Sequence, residues 1–172
     1  MSLSLTGPRL VIRELQREDL PDLLTVYNSN PEYNLLRNGT STTSLAELEA
    51  EYSATVGIPS GHWLVIFLEG TLIGVTHIVL SNEHDPKSWI SLLLLHAAYQ
   101  QQGFGKEAVR LIEAYCIQHG SQHIHHGVIA HNEPALLFWG RLGYEQYRQV
   151  EAPVGRLTQP VLLVAKWLTP TT

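Results

Sequence analysis

Hydrophobic and polar positions divide the chain into short, readable elements. Residues 9–14 alternate, with Leu10 and Ile12 on one side and Arg9, Val11 and Arg13 on the other, the pattern of a strand with one face more buried. Asp19 opens a helix with Pro21 in its first turn, where the missing N–H costs nothing, and Leu20, Leu23, Leu24 and Tyr27 share one face. Asn30-Pro31 is expected to end it. Ser44 and Glu47 have the spacing of a capping box, which predicts a second helix over about Leu45 to Ser53. The polar stretch between, Asn28 to Ser44 with Tyr33, Leu35, Leu36 and Arg37 embedded, is long enough for a binding loop or a short extra turn. Trp63–Leu68 and Thr71–Leu80 flank Glu69-Gly70 and read as a β-hairpin. After a polar turn, Asn82 to Lys87, Trp89–Leu95 is almost wholly apolar, as a central strand covered on both faces would be.

Gly103 to His119 is a loop entering a helix that Gly120 stops, with Ala108, Leu111, Ile112, Tyr115 and Cys116 on one face. A strand follows at His123–Ala130, then a short helix at Pro134–Leu142 ended by Gly143. Two final strands, Tyr144–Val150 and Val161–Trp167, are separated by a loop containing Pro and Gly. Short turns make the early strands antiparallel, whereas the strand–helix–strand unit around residues 89–130 demands a crossover and a parallel pair. The predicted fold class is therefore α/β (α+β): one mixed, mostly antiparallel sheet of about seven strands with helices on both faces.

Composition narrows the setting. The 172 residues suit one domain, 1–172, and carry a formal net charge of -5, which argues against nucleic acid as the partner. The lone Cys116 has no internal disulfide partner. The longest apolar run, Trp63 to Leu68, is too short for a transmembrane helix, and residues 1–8 lack the basic start and apolar stretch of a secretory signal. A cytoplasmic protein without a membrane partner is expected.

Candidate chemistry is concentrated in Leu92 to Gly105, LLLLHAAYQQQGFG, where a buried strand runs through a loop into a helix N-terminus. Gly103 and Gly105 remove side chains that would screen backbone N–H groups, and such groups with the positive end of a helix dipole form an anion site. Lys106 in the first turn opposes the dipole unless an anion is bound there, Gln100 has an amide to donate, and Phe104 is placed to anchor the loop. A turn with two glycines for steric reasons alone would look the same; its position between a buried strand and a helix favours the anion site.

The run Tyr99-Gln100-Gln101-Gln102-Gly103-Phe104-Gly105 resembles the pyrophosphate loop of the GCN5-related N-acetyltransferase (GNAT) superfamily: Arg or Gln, two residues, Gly, one residue, Gly or Ala. Asn132, Ala135 and Phe138 with Gly143-Tyr144 are similar to that family's second signature, and Ile12-Arg13 followed by Asp19 is similar to its start. The resemblance implies a GNAT-like sheet whose parallel pair opens as the coenzyme cleft. It implies that Gln100, Gln101, Gln102, Gly103, Phe104, Gly105 and Lys106 hold the pyrophosphate of coenzyme A. It implies that Leu93 and Leu95 offer backbone groups to the pantetheine arm, that Asn132 bonds the arm from the other wall, and that Phe138 and Trp139 lie beside the thioester. Loops around Tyr33–Arg37 and after Ala152 would shape the acceptor site.

The chain departs from the family at the acid and the base. Trp139 stands where many members have a Tyr, and an indole N–H is a donor but no useful acid. Ser91 and Trp89 stand where many members carry a base. The remaining candidates are Tyr144 for the acid and Glu83, His84, Asp85, His77 or His131 for the base, with a water chain to bulk as the other route. Five of nine histidines lie between His119 and His131, but Gly120 interrupts the His119–His123 spacing, and His125 and His126 should point to opposite faces of a strand, so no metal site is expected. The resemblance implies acetyl-CoA as co-substrate and an amine of a small molecule or peptide as acceptor, attacked directly in a ternary complex. The alternative is an acetyl-CoA-binding or sensing protein with little or no turnover. Exposed final strands suit a homodimer.

Overall fold

The computed structural model describes residues 2–169. Its strands are β1 (Ser4–Thr6), β2 (Leu10–Glu14), β3 (Gly61–Leu68), β4 (Thr71–Val79), β5 (Ser88–Leu95), β6 (His123–Ile129), β7 (Glu145–Val154) and β8 (Leu157–Trp167), in one eight-stranded sheet of order β1-β2-β3-β4-β5-β6-β8-β7. Every neighbouring pair is antiparallel except β5 and β6, which are parallel. The expected sheet of about seven strands gains β1, whose three residues, Ser-Leu-Thr, are too few to show a period; it pairs with β2 through Leu5↔Ile12.

The helices are α1 (Leu20–Asn28), α2 (Pro31–Asn38), α3 (Leu45–Thr55), α4 (Phe104–Gln118) and α5 (Glu133–Arg141). Asn30-Pro31 does stop α1, but Pro31 at once serves as the first residue of α2, which Gly39 ends at φ 74°. The stretch expected to be a loop or short extra turn is thus half helix. The capping box is present: the Glu47 amide donates to Ser44 Oγ and the Ser44 amide to Glu47 Oε2. Strands β7 and β8 extend through the predicted Pro- and Gly-containing loop and meet in a tight turn at Gly155-Arg156. Pro153 is tolerated because β7 is the edge strand.

Two cores flank the sheet. On one face α4 and α5 bury Ala108, Ile112, Cys116 and Trp139 against Ile90, Ile124 and Val128. On the other, α1 and α3 bury Leu20, Leu23, Tyr27 and Leu48 against Val75, Leu92 and Leu94. One bulge connects these cores to the cleft. Ile78 pairs with Ile90 and His77 with Leu92, so Ser91 is the extra residue. Ile90 and Leu92, which would share a face in a regular strand, therefore enter opposite cores. The bulge also coincides with the end of the parallel pairing. β5 and β6 are matched only over Ser88–Ile90 and Ile124–His126, beyond which they run unpaired. A bulge bends its strand, and the opening between β5 and β6 follows from that bend.

Candidate active site

Past the bulge, β5 keeps its bonds to β4 and has no partner strand on its other edge. The His96 amide donates to Ile73 O, which marks a bonded position. By the alternation of an antiparallel ladder, Leu94 and Leu92 also bond β4, and Leu93 and Leu95 turn their N–H and C=O toward the opening. The Leu95 carbonyl is occupied there: Asn30 Nδ2 donates to it at 3.0 Å and Gln100 Nε2 at 2.9 Å.

The loop after β5 is built on its own backbone. A 3-10 turn over Ala97–Tyr99 leads into two left-handed residues, Gln101 at φ 60° and Gly103 at φ 84°. A non-glycine in that region costs of order 1–3 kcal/mol, and such strain collects at functional sites. Within α4 the Glu107 amide bonds Gly103 O, so the amides of Phe104, Gly105 and Lys106 precede the helical ladder, and Gly103 supplies no capping side chain. Three N–H groups at the positive end of a fifteen-residue helix are therefore without intrahelical acceptors, the arrangement an anion site requires.

The side chains serve the loop differently from expectation. Gln100 uses its amide on Leu95 O and on Asn30 Oδ1 (2.8 Å), tying the loop to the start of α2 instead of donating to an anion. Gln102 Nε2 bonds Ala98 O, while Gln101 is exposed. Phe104 is buried beneath the Arg9 guanidinium, whose carbon lies 4.3 Å above the ring. Gly105 is bare for packing: a Cβ there would meet the Phe138 ring at 3.1 and 3.2 Å, a close approach of α5 to α4 that the sequence reading assigned to amide exposure. Lys106 is exposed and, with Arg9, Gly103 and Arg110, lines a hollow of about 360 Å³ beside the loop.

Glu107 anchors this arrangement. Its carboxylate accepts from the Arg9 amide (3.0 Å), the Leu10 amide (2.8 Å) and Arg9 Nε (2.9 Å). Partial burial pushes its pKa up, but these bonds outweigh burial and hold it below the ordinary carboxylate value. Arg9 Nη1 also bonds Gln102 O. Glu107→Ala is expected to leave two amides without their acceptor and to lower stability by about 1–3 kcal/mol, together with weaker binding at the loop. Chemical denaturation and calorimetry with coenzyme A check both.

At the closed end of the opening stands a residue absent from the sequence candidates, His126. Its Nδ1 is 2.5 Å from Ile90 O at the last parallel rung, and its ring lies 4.3 Å from that of Trp139. A carbonyl only accepts, so Nδ1 carries the hydrogen. Burial pushes its pKa down to about 4, against the raising effect of the Ile90 carbonyl. The available signal was a histidine between Ile124 and Val128 on the inward side of β6.

The other candidates separate into two groups. Phe138 and Trp139 lie on α5 against the α4 core, and Asn132 caps that helix, its Oδ1 accepting from the Ala135 amide. His131 is exposed in the turn before it. Tyr144 is directed elsewhere: its hydroxyl donates to Glu113 Oε2 at 3.2 Å, with Lys166 on the same carboxylate, and burial pushes its pKa far up. His84 and Glu83 are exposed in the turn before β5, at the paired end of the strands and away from the opening. His125 and His126 do point to opposite faces; His125 bonds His123 and the Tyr147 hydroxyl at the sheet surface.

A family model described as the acetyltransferase (GNAT) family matches residues 16–144. The chain belongs to that family. No curated protein matches it. Among solved structures, it is similar to an acetyl transferase of Salmonella typhimurium that modifies the N-terminal serine of a 50S ribosomal subunit protein (TM-score 0.82, 13% identity, covering 97% of this chain and 100% of that one). It is similar to an acetyltransferase from Thermus thermophilus (TM-score 0.77, 20% identity, 96% and 100% covered). It is also similar to spermidine N-acetyltransferase of Vibrio cholerae, solved with CoA and spermine (TM-score 0.71, 19% identity, 94% and 97% covered).

Proposed function

We propose that this chain transfers an acetyl group from acetyl-CoA to a primary amine of a small molecule or peptide, by direct attack within a ternary complex. The observation that carries the reading is the junction of a bare strand edge and a bare helix terminus. That edge, unpaired at Leu93 and at the Leu95 N–H while Asn30 and Gln100 hold the Leu95 carbonyl, leads within a few residues to the free amides of Phe104, Gly105 and Lys106. An extended amide-bearing arm ending in a diphosphate matches both halves, one as an added strand and the other as an anion. Acetyl-CoA supplies the activated acyl group. The protein holds the diphosphate on the loop, aligns the arm along β5 and offers backbone N–H groups to charge developing on the thioester oxygen.

The incoming amine must be unprotonated, and an alkyl amine with a pKa near ~10 is mostly charged at neutral pH. Neither His84 nor Tyr144 is placed to assist, for the reasons given above. Trp139 offers the thiolate a donor at most. Slow, weakly assisted turnover follows. The test is CoA release from acetyl-CoA over a panel of amines, with Trp139→Tyr in parallel. The variant is expected to raise kcat several-fold with little change in the KM for acetyl-CoA; unchanged turnover would count against a missing acid. Tight CoA binding with no transfer to any amine would point instead to a sensing protein.

A further inference from the structure

The short helix α2 lies across the mouth of the cleft. Its first end is tied to β5 and the loop after it. Asn30, just before Pro31, donates from Nδ2 to Leu95 O at 3.0 Å and accepts from Gln100 Nε2 at 2.8 Å. Its last turn is tied to β8 and the turn before that strand. The Arg156 amide donates to Arg37 O (3.0 Å) and to Asn38 Oδ1 (3.1 Å), and Gln159 Nε2 donates to Leu36 O (2.7 Å). β8 borders β6 on the side away from β5, and Pro160 O takes the Ala130 amide just past the end of β6. α2 therefore starts on one side of the opening and finishes beyond the other. Its eight residues span about 12 Å, against about 10 Å for two strand spacings, so the helix is roughly as long as the gap it crosses. It lies in the layer of α1 and α3, whereas the coenzyme loop leads into α4 on the opposite face. With the coenzyme arm coming from the α4 side, α2 covers the approach left for an acceptor.

This bar is seated on polar groups. Asn34 and Arg37 are its buried residues, Tyr33 packs only partly against the core, and Leu35 is 48% exposed. Asn34 Nδ2 bonds Tyr27 O and Ser41 O, and Arg37 Nη2 is 2.7 Å from Glu51 Oε1. On the same underside, Asn34 Oδ1 and Arg37 Nε have no hydrogen-bond partner among the described residues. Buried apolar surface resists exposure, but water replaces polar bonds at small net cost and would hydrate the two atoms left over. Such a seat lifts more readily than those of α1 and α4, whose buried faces are mainly apolar.

The turn between β7 and β8 holds α2 down. Gly155 makes the contact possible: it sits at φ 61°, and a Cβ there would meet Arg37 O at 2.8 Å, Arg37 Cβ at 2.9 Å and Asn38 Oδ1. That close approach lets the Arg156 amide reach the carbonyl of Arg37, one of those a helix end leaves unpaired. Beyond it Gly39, at φ 74° with open space around it, leaves the chain free to turn. We propose that α2 is a gate across the acceptor mouth, latched by the Gly155-Arg156 turn and Gln159, and that an amine enters when the latch opens. This rests on the acetyl-transfer reading above.

Two variants loosen the latch by different means. Gly155→Ala sets a methyl group against Arg37 and Asn38 at a hairpin tip outside both cores. Gln159→Met keeps the side-chain length and removes the donor to Leu36 O. Hydrogen exchange read by mass spectrometry is expected to quicken at least tenfold over residues 31–38 in both, with residues 104–118 unchanged. CoA release at saturating acetyl-CoA should show kcat/KM for amines raised at least threefold, most for bulky ones, while calorimetry finds the Kd of CoA within twofold of wild type. Unchanged exchange over residues 31–38 in both variants would overturn the latch and with it the proposal. Faster exchange with unchanged or lowered amine kcat/KM would overturn the gate and leave acetyl transfer standing. CoA binding without transfer to any amine, in wild type and both variants, would overturn both.

Discussion

Gly103→Val is expected to remain folded and to bind coenzyme A at least about a hundredfold more weakly. Gly103 sits at φ 84°, a conformation in which a β-branched residue is a true outlier. The cost to the fold is bounded. A Cβ at this position would find only Arg9 Nη2 within 4 Å, at 3.3 Å, so no core atom is displaced. Strain of about 1–3 kcal/mol against a typical stability of about 5–15 kcal/mol leaves a native majority. The cost to the site is larger, because the chain relieves the strain by turning φ negative, and that rotates the peptides leading into Phe104 and Gly105. Three amides aimed at one anion then diverge, and a loss of about 3 kcal/mol in shared charge-assisted bonds corresponds to a hundredfold. Gly103→Asn separates conformation from bulk: Asn tolerates positive φ and should lose less than about tenfold. Calorimetry with CoA, beside thermal melts of each variant, reads both quantities. Equal affinity of the Val variant and wild type would remove the loop from the binding site. Substitution at Gly105 should behave in the opposite way, since a Cβ there strikes Phe138 and threatens the α4–α5 contact before it touches a ligand.

That contrast marks the boundary of what periodicity and motif could convey. The order of strands and helices was legible because most elements are long enough to show a period, and because Ser44, Gly103, Gly120 and Gly143 punctuate them. The three-residue β1 and the immediate restart at Pro31 were not, since neither carries a pattern of its own. In the site, Gly103 and Phe104 follow from local rules, whereas Leu93 and Leu95 were singled out only by the family resemblance, because their outward turn depends on pairing with β4. The partners of Gln100, Glu107, Arg37 and His126 are between five and 98 residues away, and nothing local specifies them. The bulge at Ser91 was also hidden, because an unbroken apolar run looks the same with or without an extra residue. It nevertheless decides which leucines face which core and where the cleft begins.

Lowering the pH from about 7 to 4 is expected to cost the native state on the order of 3 kcal/mol through His126 alone. The ring is buried beside Trp139, and its pKa is depressed from 6.5 to about 4 by burial, partly offset by the bond to the Ile90 carbonyl. Below the unfolded value the unfolded chain takes up a proton that the folded chain refuses, so more protons are bound in the unfolded state and stability falls with pH. The loss begins near pH 6.5, levels off near pH 4, and is absent above the window. The gap between 6.5 and about 4, at roughly 1.36 kcal/mol for each pH unit, sets the size. His125, pushed to about 4 by burial and by neighbouring His123, and His77, lowered by burial, add in the same direction. Carboxylates act later. Asp19, lowered by Arg13, and Glu107, lowered by Arg9 and two backbone amides against the effect of burial, hold their contributions until the pH passes below the ordinary carboxylate range. The upper part of the window therefore belongs to histidine. Urea denaturation in steps across it should show the decline, and His126→Asn should flatten it. Asn keeps a donor for the Ile90 carbonyl and does not titrate, at the cost of contact with Trp139. The variant is expected to be less stable than wild type near neutrality and to converge with it in acid. An identical slope in both chains would mean that His126 does not resist protonation and that the junction of β5 and β6 is wetter than its burial indicates.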